Sequence, residues 1–328
     1  MTAPSVSVLV PTLNGADDLR RLLAALDGQD YGGDVERVAI DSASDDETVA
    51  VLEAGGFDVE VIPRAEFGHG RTRNALARRA RGEYLVFLSQ DAMPEGKDFL
   101  SAMVDAASRP GVAGVTARVL PNESDDALTA RTVLEAPEGS AEADERGGES
   151  APFVGLDGPA RAHRMRFNDV ASCMSREVLL EHPLPEVPFG EDAAWAATIL
   201  GAGLRIRHEP TAIVRHAHRY GPRSAWKRYA QDAAFHRAFH GFRVRPHIGS
   251  VLKGWAHELR RDLRHVARHG GWGSLLRAPL LRLAQTLGQY AGGRSIDGAW
   301  AAALREGRVQ PLVPHPSTDA PASIARTP

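Results

Sequence analysis

An open α/β sheet with helices on both faces is the fold class that this 328-residue sequence predicts. Short apolar or β-branched runs at residues 6–10, 35–40, 57–62 and 84–88 alternate with segments of helical periodicity. The connections between them are short, as expected of a mostly parallel sheet built from crossovers. Two runs also end in an acid, Asp41 and then Asp91 within Ser89-Gln90-Asp91-Ala92-Met93-Pro94. The carboxyl end of a strand is where such a sheet places its ligand chemistry.

Residues 6–10 read Val-Ser-Val-Leu-Val and stop at Pro11, which defines a first strand. Asn14 is then expected to cap a helix that has Asp17 in its first turn and Leu19, Leu22, Leu23 and Leu26 along one face. A second strand ends at Asp41, and a polar Ser-Asp turn opens a helix through Val49 and Leu52. After the third strand, residues 71–81 read as a helix with Gly82 just past its end, leading into the strand before Asp91. Residues 121–150 carry nine acidic and two basic side chains and little apolar material, so a solvated surface insertion or mobile loop is expected there. Between 250 and 290 the balance reverses to seven Lys or Arg against two acids. There Leu275, Leu276, Leu280, Leu281 and Leu283 flank Arg277 and Arg282, a pattern that fits a helix on an anionic membrane or one packed on its own domain. The Pro-rich tail from 311 to 328 is expected to be disordered.

Composition narrows the function classes. A net charge of −3 gives no global reason to expect nucleic acid as a partner. The single Cys173 rules out an internal disulfide and a cysteine-built zinc site, in keeping with a reducing cytoplasm. No basic leader precedes the first strand and no run of eighteen apolar residues occurs, so neither a signal peptide nor a spanning helix is expected.

Pro11, Thr12, Asn14 and Asp41 would form one rim if their strands are neighbours, with Asp41 placed to accept from a nucleobase imide or a ribose hydroxyl. The alternative is that Asp41 and Ser44 cap the next helix. His69-Gly70 precedes the helix that begins near Arg71 and bears Arg73, and a helix N-terminus with guanidinium groups suits a pyrophosphate. Gln90 is a candidate donor contact, and Asp91 beside it is a candidate ligand for a divalent cation bridging two phosphates. His216 and His218 are further metal ligands or structural residues. Glu191-Asp192 falls at a helix start, where one carboxylate faces a cleft as general base or both simply favour the helix dipole.

In this order the segments resemble inverting family 2 glycosyltransferases of the GT-A fold. The resemblance rests on Pro11-Thr12-Leu13-Asn14, on residues 41–48 (Asp-Ser-Ala-Ser-Asp-Asp-Glu-Thr), on Arg73-Asn74, on Gly82-Glu83-Tyr84, and on Asp91 and Glu191-Asp192. It implies a GT-A domain over residues 1–240, with a donor half at 1–120, the acidic insertion at 121–150 and an acceptor half at 151–240. A basic helical extension at 241–310 and the tail at 311–328 follow. Phe67-Gly68-His69-Gly70-Arg71-Thr72-Arg73-Asn74, with Ser89 in place of the first acid of an Asp-X-Asp motif, looks most like rhamnosyltransferases that use dTDP-L-rhamnose.

The resemblance implies contacts to the nucleoside from Thr12, Asn14 and Asp41, with Arg71 and Arg73 beside the nucleotide or its phosphates. It also implies Mg²⁺ or Mn²⁺ at Asp91, Asp192 as base, and Glu191 orienting the helix start or the acceptor. The acceptor is expected to be a saccharide or a lipid-linked saccharide, met in the cytoplasm or at the inner face of its membrane. Two alternatives stay open: a retaining or inverting transferase using a UDP- or GDP-hexose, and a catalytically degenerate scaffold that only binds nucleotide sugar.

Overall fold

Valines at alternate positions decide how the first strand sits. In β1 (Val6–Thr12), Val6, Val8 and Val10 turn to one face and Leu9 to the other, and all four are fully buried, because successive strand side chains point to opposite sides. A strand buried on both faces must lie in the middle of a layered structure. The computed structural model describes residues 3–310 and 312, apart from 150, 151, 295 and 297.

From β1 the chain continues through α1 (Ala16–Asp27), β2 (Val35–Asp41), α2 (Thr48–Ala54), β3 (Asp58–Val61), α3 (His69–Arg79), β4 (Tyr84–Leu88) and β5 (Met93–Glu95). It goes on to α4 (Phe99–Ala107), β6 (Val112–Leu120), α5 (Ala127–Leu134), β7 (Asp144–Gly147), α6 (Gly158–Arg164), β8 (Ala171–Ser175) and α7 (Arg176–Glu181). The last described elements are α8 (Glu191–Gly201), β9 (Arg205–Arg215), α9 (Pro222–Phe239), α10 (Ile248–His269), α11 (Ala278–Gly292) and α12 (Gly298–Arg305).

The strands form one sheet in the order β3-β2-β1-β4-β8-β6-β9-β5, with β7 also paired to β9. The first four pair in parallel, β8 runs antiparallel to both β4 and β6, and β9 is parallel to β6. Two reversals across β8 therefore return β6 and β9 to the direction of β1. The carboxyl ends of β1, β2, β4, β6 and β9 share one edge of the sheet. Leu9, Phe87, Met174, Trp195 and Phe235 fill one face, while Val8, Val86, Met103, Val115 and Cys173 fill the other.

Several expectations change at residue level. Asn14 does not cap α1: it sits in the left-handed region at φ 47°, Gly15 takes the cap position, and the Ala16 amide donates to Asp46. The third helix spans His69–Arg79, two residues earlier than the expected 71–81. Of the tail, Leu312 is described and its amide donates to the Phe239 carbonyl; the rest of 313–328, with Pro311, lies outside the described residues.

The acidic stretch is folded, not a mobile loop. Asp126 caps α5 and pairs with Arg277, Glu135 pairs with Arg131 and Arg261, and Glu145 with Arg109, Arg205 and Arg207. Apart from Arg131, these counter-ions come from distant parts of the chain, so local composition could not show them. Arg277 and Arg282, expected on a solvated or membrane-facing side, point inward instead. Arg282 is bidentate to the fully buried Asp262 of α10 at 2.8 Å for both bonds, and Asp262 also holds Arg131 at 2.7 Å.

α11 lies against α9 at backbone distance, because a Cβ on Gly288 or Gly292 would meet the carbonyls of Trp226 and Ala230. Gly292→Val is therefore expected to force the helices apart and to cost about 2 kcal/mol, read as a lower urea midpoint with an unchanged slope.

Candidate active site

The rim at the carboxyl ends of β1 and β2 is held by its own hydrogen bonds. Asp41, fully buried, accepts from Thr12 Oγ1 at 3.0 Å, the Ser44 hydroxyl at 2.6 Å and the Ser44 amide at 2.7 Å. Ser44 Oγ accepts from the Asn14 amide at 2.8 Å, and Asn14 Oδ1 accepts from the Asp45 amide at 3.0 Å. Asp41 thus fixes the shape of the two loops, while half-buried Pro11 and exposed Leu13 and Asn14 form their outer surface. Gln90 joins this rim to the end of β4. Its side-chain amide donates to the Leu13 carbonyl at 3.1 Å and accepts from the Leu13 amide at 2.9 Å. That pairing crowds Gly15, where any Cβ would strike the Gln90 amide.

Pairing of the short β5 with the end of β9, Met93 opposite Arg215, brings the next residues of β9 up to Asp91. His216 and His218, two apart, lie beside that carboxylate. His216 Nε2 is 3.4 Å from one Asp91 oxygen and His218 Nδ1 is 3.8 Å from the other. One ligand atom from each of the three residues falls within 4.8 Å of the others. Partial burial works to raise the Asp91 carboxyl, but the bond to His216 and the charges of His216 and His218 outweigh it and hold the carboxyl below its ordinary value. Desolvation, and then His216, lower the His218 imidazole. A carboxylate and two imidazoles converging on one point fit a divalent cation, and their mixed oxygen and nitrogen donors suit Mn²⁺ at least as well as Mg²⁺.

The third part of the site starts from a buried cation. Arg73 leaves α3 toward the start of α8, where Nη1 donates to Glu191 Oε1 at 2.8 Å. Its Nε lies 3.5 Å from Asp169 Oδ2, just ahead of β8. All three side chains are buried. Burial pushes the Asp169 carboxyl up to about 6 against the pull of Arg73. α8 begins at Glu191 after Gly190, which adopts φ 77° with the Phe235 ring packed where a Cβ would go. Asp192, one residue on, points away from Arg73 and into a cavity. Its Oδ1 accepts from the Ala193 amide at 2.7 Å. Burial first, then the charges of Glu191 and Asp169, push the Asp192 carboxyl well above the usual carboxylate range.

That cavity encloses about 600 Å³, and Asp192, His216, His218, Tyr220 and Arg228 share its lining. The Arg228 guanidinium stands 4.5 Å over the Phe189 ring. An acid with a raised pKa, a candidate cation site and a guanidinium with no ion-pair partner among the described residues thus face one space the size of a small ligand.

Residues 7–155 match the profile described as Glycosyl transferase family 2. The chain is 29% identical over 238 residues to the O-antigen chain rhamnosyltransferase RfbN of Salmonella typhimurium, covering 70% of this chain and 72% of that one. It is equally similar to the O-antigen chain rhamnosyltransferase WbaN of Salmonella anatum, at 29% identity over 71% of this chain and 72% of that protein. These similarities mark the chain as a glycosyltransferase, similar to family 2 and to its rhamnosyltransferases. Among solved structures, the mannosyltransferase PcManGT of Pyrobaculum calidifontis, in complex with GDP-Man and Mn²⁺, superposes with a TM-score of 0.51 at 22% identity, covering 93% of this chain and 76% of that one. That likeness agrees with a GT-A fold.

Within the transferase, the structure brings together Asp91, His216 and His218, and separately Thr12, Asn14 and Asp41, as expected. Glu191 and Asp192 divide as adjacent helical residues must, one bracing and one facing the cavity. Two expected phosphate contacts are corrected. Arg73 is buried and spent on Glu191 and Asp169, and exposed Arg71 pairs with Glu186. His69 lies at the exposed end of α3, edge-on to Phe67 at 5.0 Å, and Gly70 is where α3 meets the Pro185 carbonyl. The sequence reading missed Asp169 and Arg228. Asp169 sits between Asn168 and an apolar strand, where an acid is unremarkable until its burial is known. Arg228 stands among other polar residues of α9 and carries no motif.

Replacing Arg73 with Met leaves Glu191 and Asp169 buried without their cation. The expected loss is about 3–5 kcal/mol, seen as an early urea transition, and partial recovery in Arg73→Met/Asp169→Leu, which still leaves Glu191 unpaired, would assign the loss to the unpaired charges.

Proposed function

We propose that the transferase moves L-rhamnose from dTDP-L-rhamnose to a hydroxyl of a saccharide, free or lipid-linked, with inversion at the anomeric carbon. The observation that carries this reading is the cavity in which Asp192 faces His216 and His218 across a space large enough for a sugar. The acceptor hydroxyl lies against Asp192 Oδ2, since Oδ1 is engaged by the Ala193 amide. Oδ2 takes the hydroxyl proton as the oxygen attacks the anomeric carbon, and the nucleoside diphosphate leaves from the opposite face. Arg228 is the guanidinium placed to steady the departing charge. Asp91, His216 and His218 are the residues that would hold a divalent cation; when bound it supplies Lewis-acid neutralisation of the diphosphate oxygens.

The donor preference is supported by the similarity to two O-antigen rhamnosyltransferases and by Ser89 in the motif before Asp91. The nucleoside is expected on the rim of Pro11, Leu13 and Asn14, whose shape Asp41 and Thr12 fix from below.

A base must be ionised to accept a proton. Transfer should therefore fall as pH drops through the raised pKa of Asp192, and Asp169→Asn, which removes a neighbouring negative charge, should move that limb to lower pH. Asp192→Asn should lower transfer roughly 10²–10⁴-fold while nucleotide affinity stays within twofold of the parent. Normal turnover in that variant would rule out Asp192 as the base. A panel of dTDP-rhamnose, other dTDP-sugars, UDP-sugars and GDP-sugars, with the anomeric configuration of the product read by NMR, tests donor and stereochemistry. A UDP- or GDP-hexose as best donor, or a retained configuration, overturns that part.

For the cation, calorimetry with a nucleoside diphosphate and Mn²⁺ should show metal-dependent binding that Asp91→Ala reduces at least tenfold. Equal affinity in the variant would remove Asp91 as a ligand.

A further inference from the structure

We propose that the outer face of α10, with the turn leading into α11, is a docking surface for the anionic headgroup layer of a lipid bilayer. The surface combines two kinds of side chain. Ile248, Leu252, Leu263, Trp272, Leu276 and Leu280 are between 50% and 91% exposed. On α10 exposed Ile248, Leu252 and Leu263 share one stripe, at three- to four-residue spacing, with half-buried Trp255 and Leu259, the latter packed on the cluster around Leu128. Alongside it, on the adjoining arc, lie Lys253, Arg260, Arg264 and Arg268, all exposed and without an ion-pair partner among the described residues.

The acids of α10 make the assignment stronger. Glu258 and Asp262 are its two carboxylates, and both turn inward to Arg131, with Asp262 also holding Arg282. The outward charge of the helix is therefore entirely cationic, on a protein whose formal net charge is −3. An exposed apolar stripe bordered by lysine and arginine is the arrangement that lies in the plane of an anionic interface. None of the described helices is long and apolar enough to cross a membrane, which leaves contact from one side. A second copy fits poorly, because a symmetric pairing through this face would bring the four cations of each copy together.

The position of the surface gives docking a purpose, and only here does the proposal rest on the transferase reading. Arg131 of α5 enters the α10 ion cluster, while Thr129 and Thr132 of the same helix line the cavity that holds Asp192. The docking face is thus separated from the cavity by α10 itself and the short α5 behind it. A saccharide carried on a membrane lipid would be held within reach of the base.

The test uses full-length protein without donor or acceptor, so its outcome is independent of the donor panel and of Asp192. Co-sedimentation is measured with phosphatidylglycerol/phosphatidylcholine vesicles and with phosphatidylcholine vesicles alone. The parent should bind the anionic vesicles and release them in high salt. Lys253→Gln/Arg264→Gln should weaken binding about fivefold per charge removed, and Leu276→Asp/Leu280→Asp should abolish it, with the far-UV circular dichroism and nucleotide affinity of both variants unchanged. Absent binding by the parent, equal binding to neutral vesicles, or undiminished binding by both variants would each overturn the proposal. A concentration-dependent dimer that Leu276→Asp/Leu280→Asp disrupts, without vesicle binding, would reassign the face to self-association.

Discussion

The buried ion cluster of Arg73, Glu191 and Asp169 is the constraint on which the site depends. It ties three pieces of chain that are far apart in sequence: the helix after the third strand, the approach to β8 and the first turn of α8. Two carboxylates around one guanidinium leave a surplus of negative charge in a place water does not reach. At Asp192 next door burial is the larger cause and that surplus adds to it, so the carboxyl is held closer to its protonated form than an exposed aspartate would be. The cluster therefore fixes the start of α8 and contributes to the proton affinity of the group that faces the cavity. A base of raised affinity takes a proton from a hydroxyl with a smaller mismatch than an ordinary carboxylate.

A second ion cluster organises the other side of the molecule. Arg131, Asp262, Glu258 and Arg282 join α5, α10 and α11 in a region with few apolar side chains, chiefly Leu128, Ala225, Ala278 and Leu281. Charged groups supply there the specificity that a larger apolar core supplies under the sheet. Removing one partner strands the others in a dry environment, which is why such clusters tolerate little change once formed. α10 and α11 are in this way fastened to α5, which lines the cavity, rather than hung on as an appendage.

Much of this was legible in the sequence where chemistry and local structure coincide. The alternating valines of β1, the acids at the ends of β2 and β4 and the Glu191-Asp192 pair at a helix start each give a local signal: the valines fill one face of the sheet, Asp41 and Asp91 stand at its carboxyl edge, and the pair opens α8. What failed was charge. Arg73 at the start of a helix reads as an anion site because the free amides of that turn are the visible local feature; its true partners lie 96 and 118 residues downstream. The acidic stretch reads as solvated for the same reason, since most of its arginines come from β9, from α10 and from the turn before α11. Local composition reports how many charges a segment carries, whereas their pairing is decided by topology. Asn14 illustrates a smaller limit: it has the chemistry of a cap, but the loop bends through it in a left-handed conformation and gives the helix start to Asp46 and Thr48.

Gln90 carries a consequence of a mechanical kind. Its amide pairs with the backbone of Leu13 as a neighbouring strand would, so the loop after β1 and the turn bearing Asp91 are fastened together beyond the point where their strands stop pairing. Any displacement of the Leu13 backbone is transmitted to the residue immediately before Asp91 without a hinge between them. The two ends of an extended ligand laid along this edge would consequently meet a single stiff jaw, and tightening at one end would register at the other as a change in alignment.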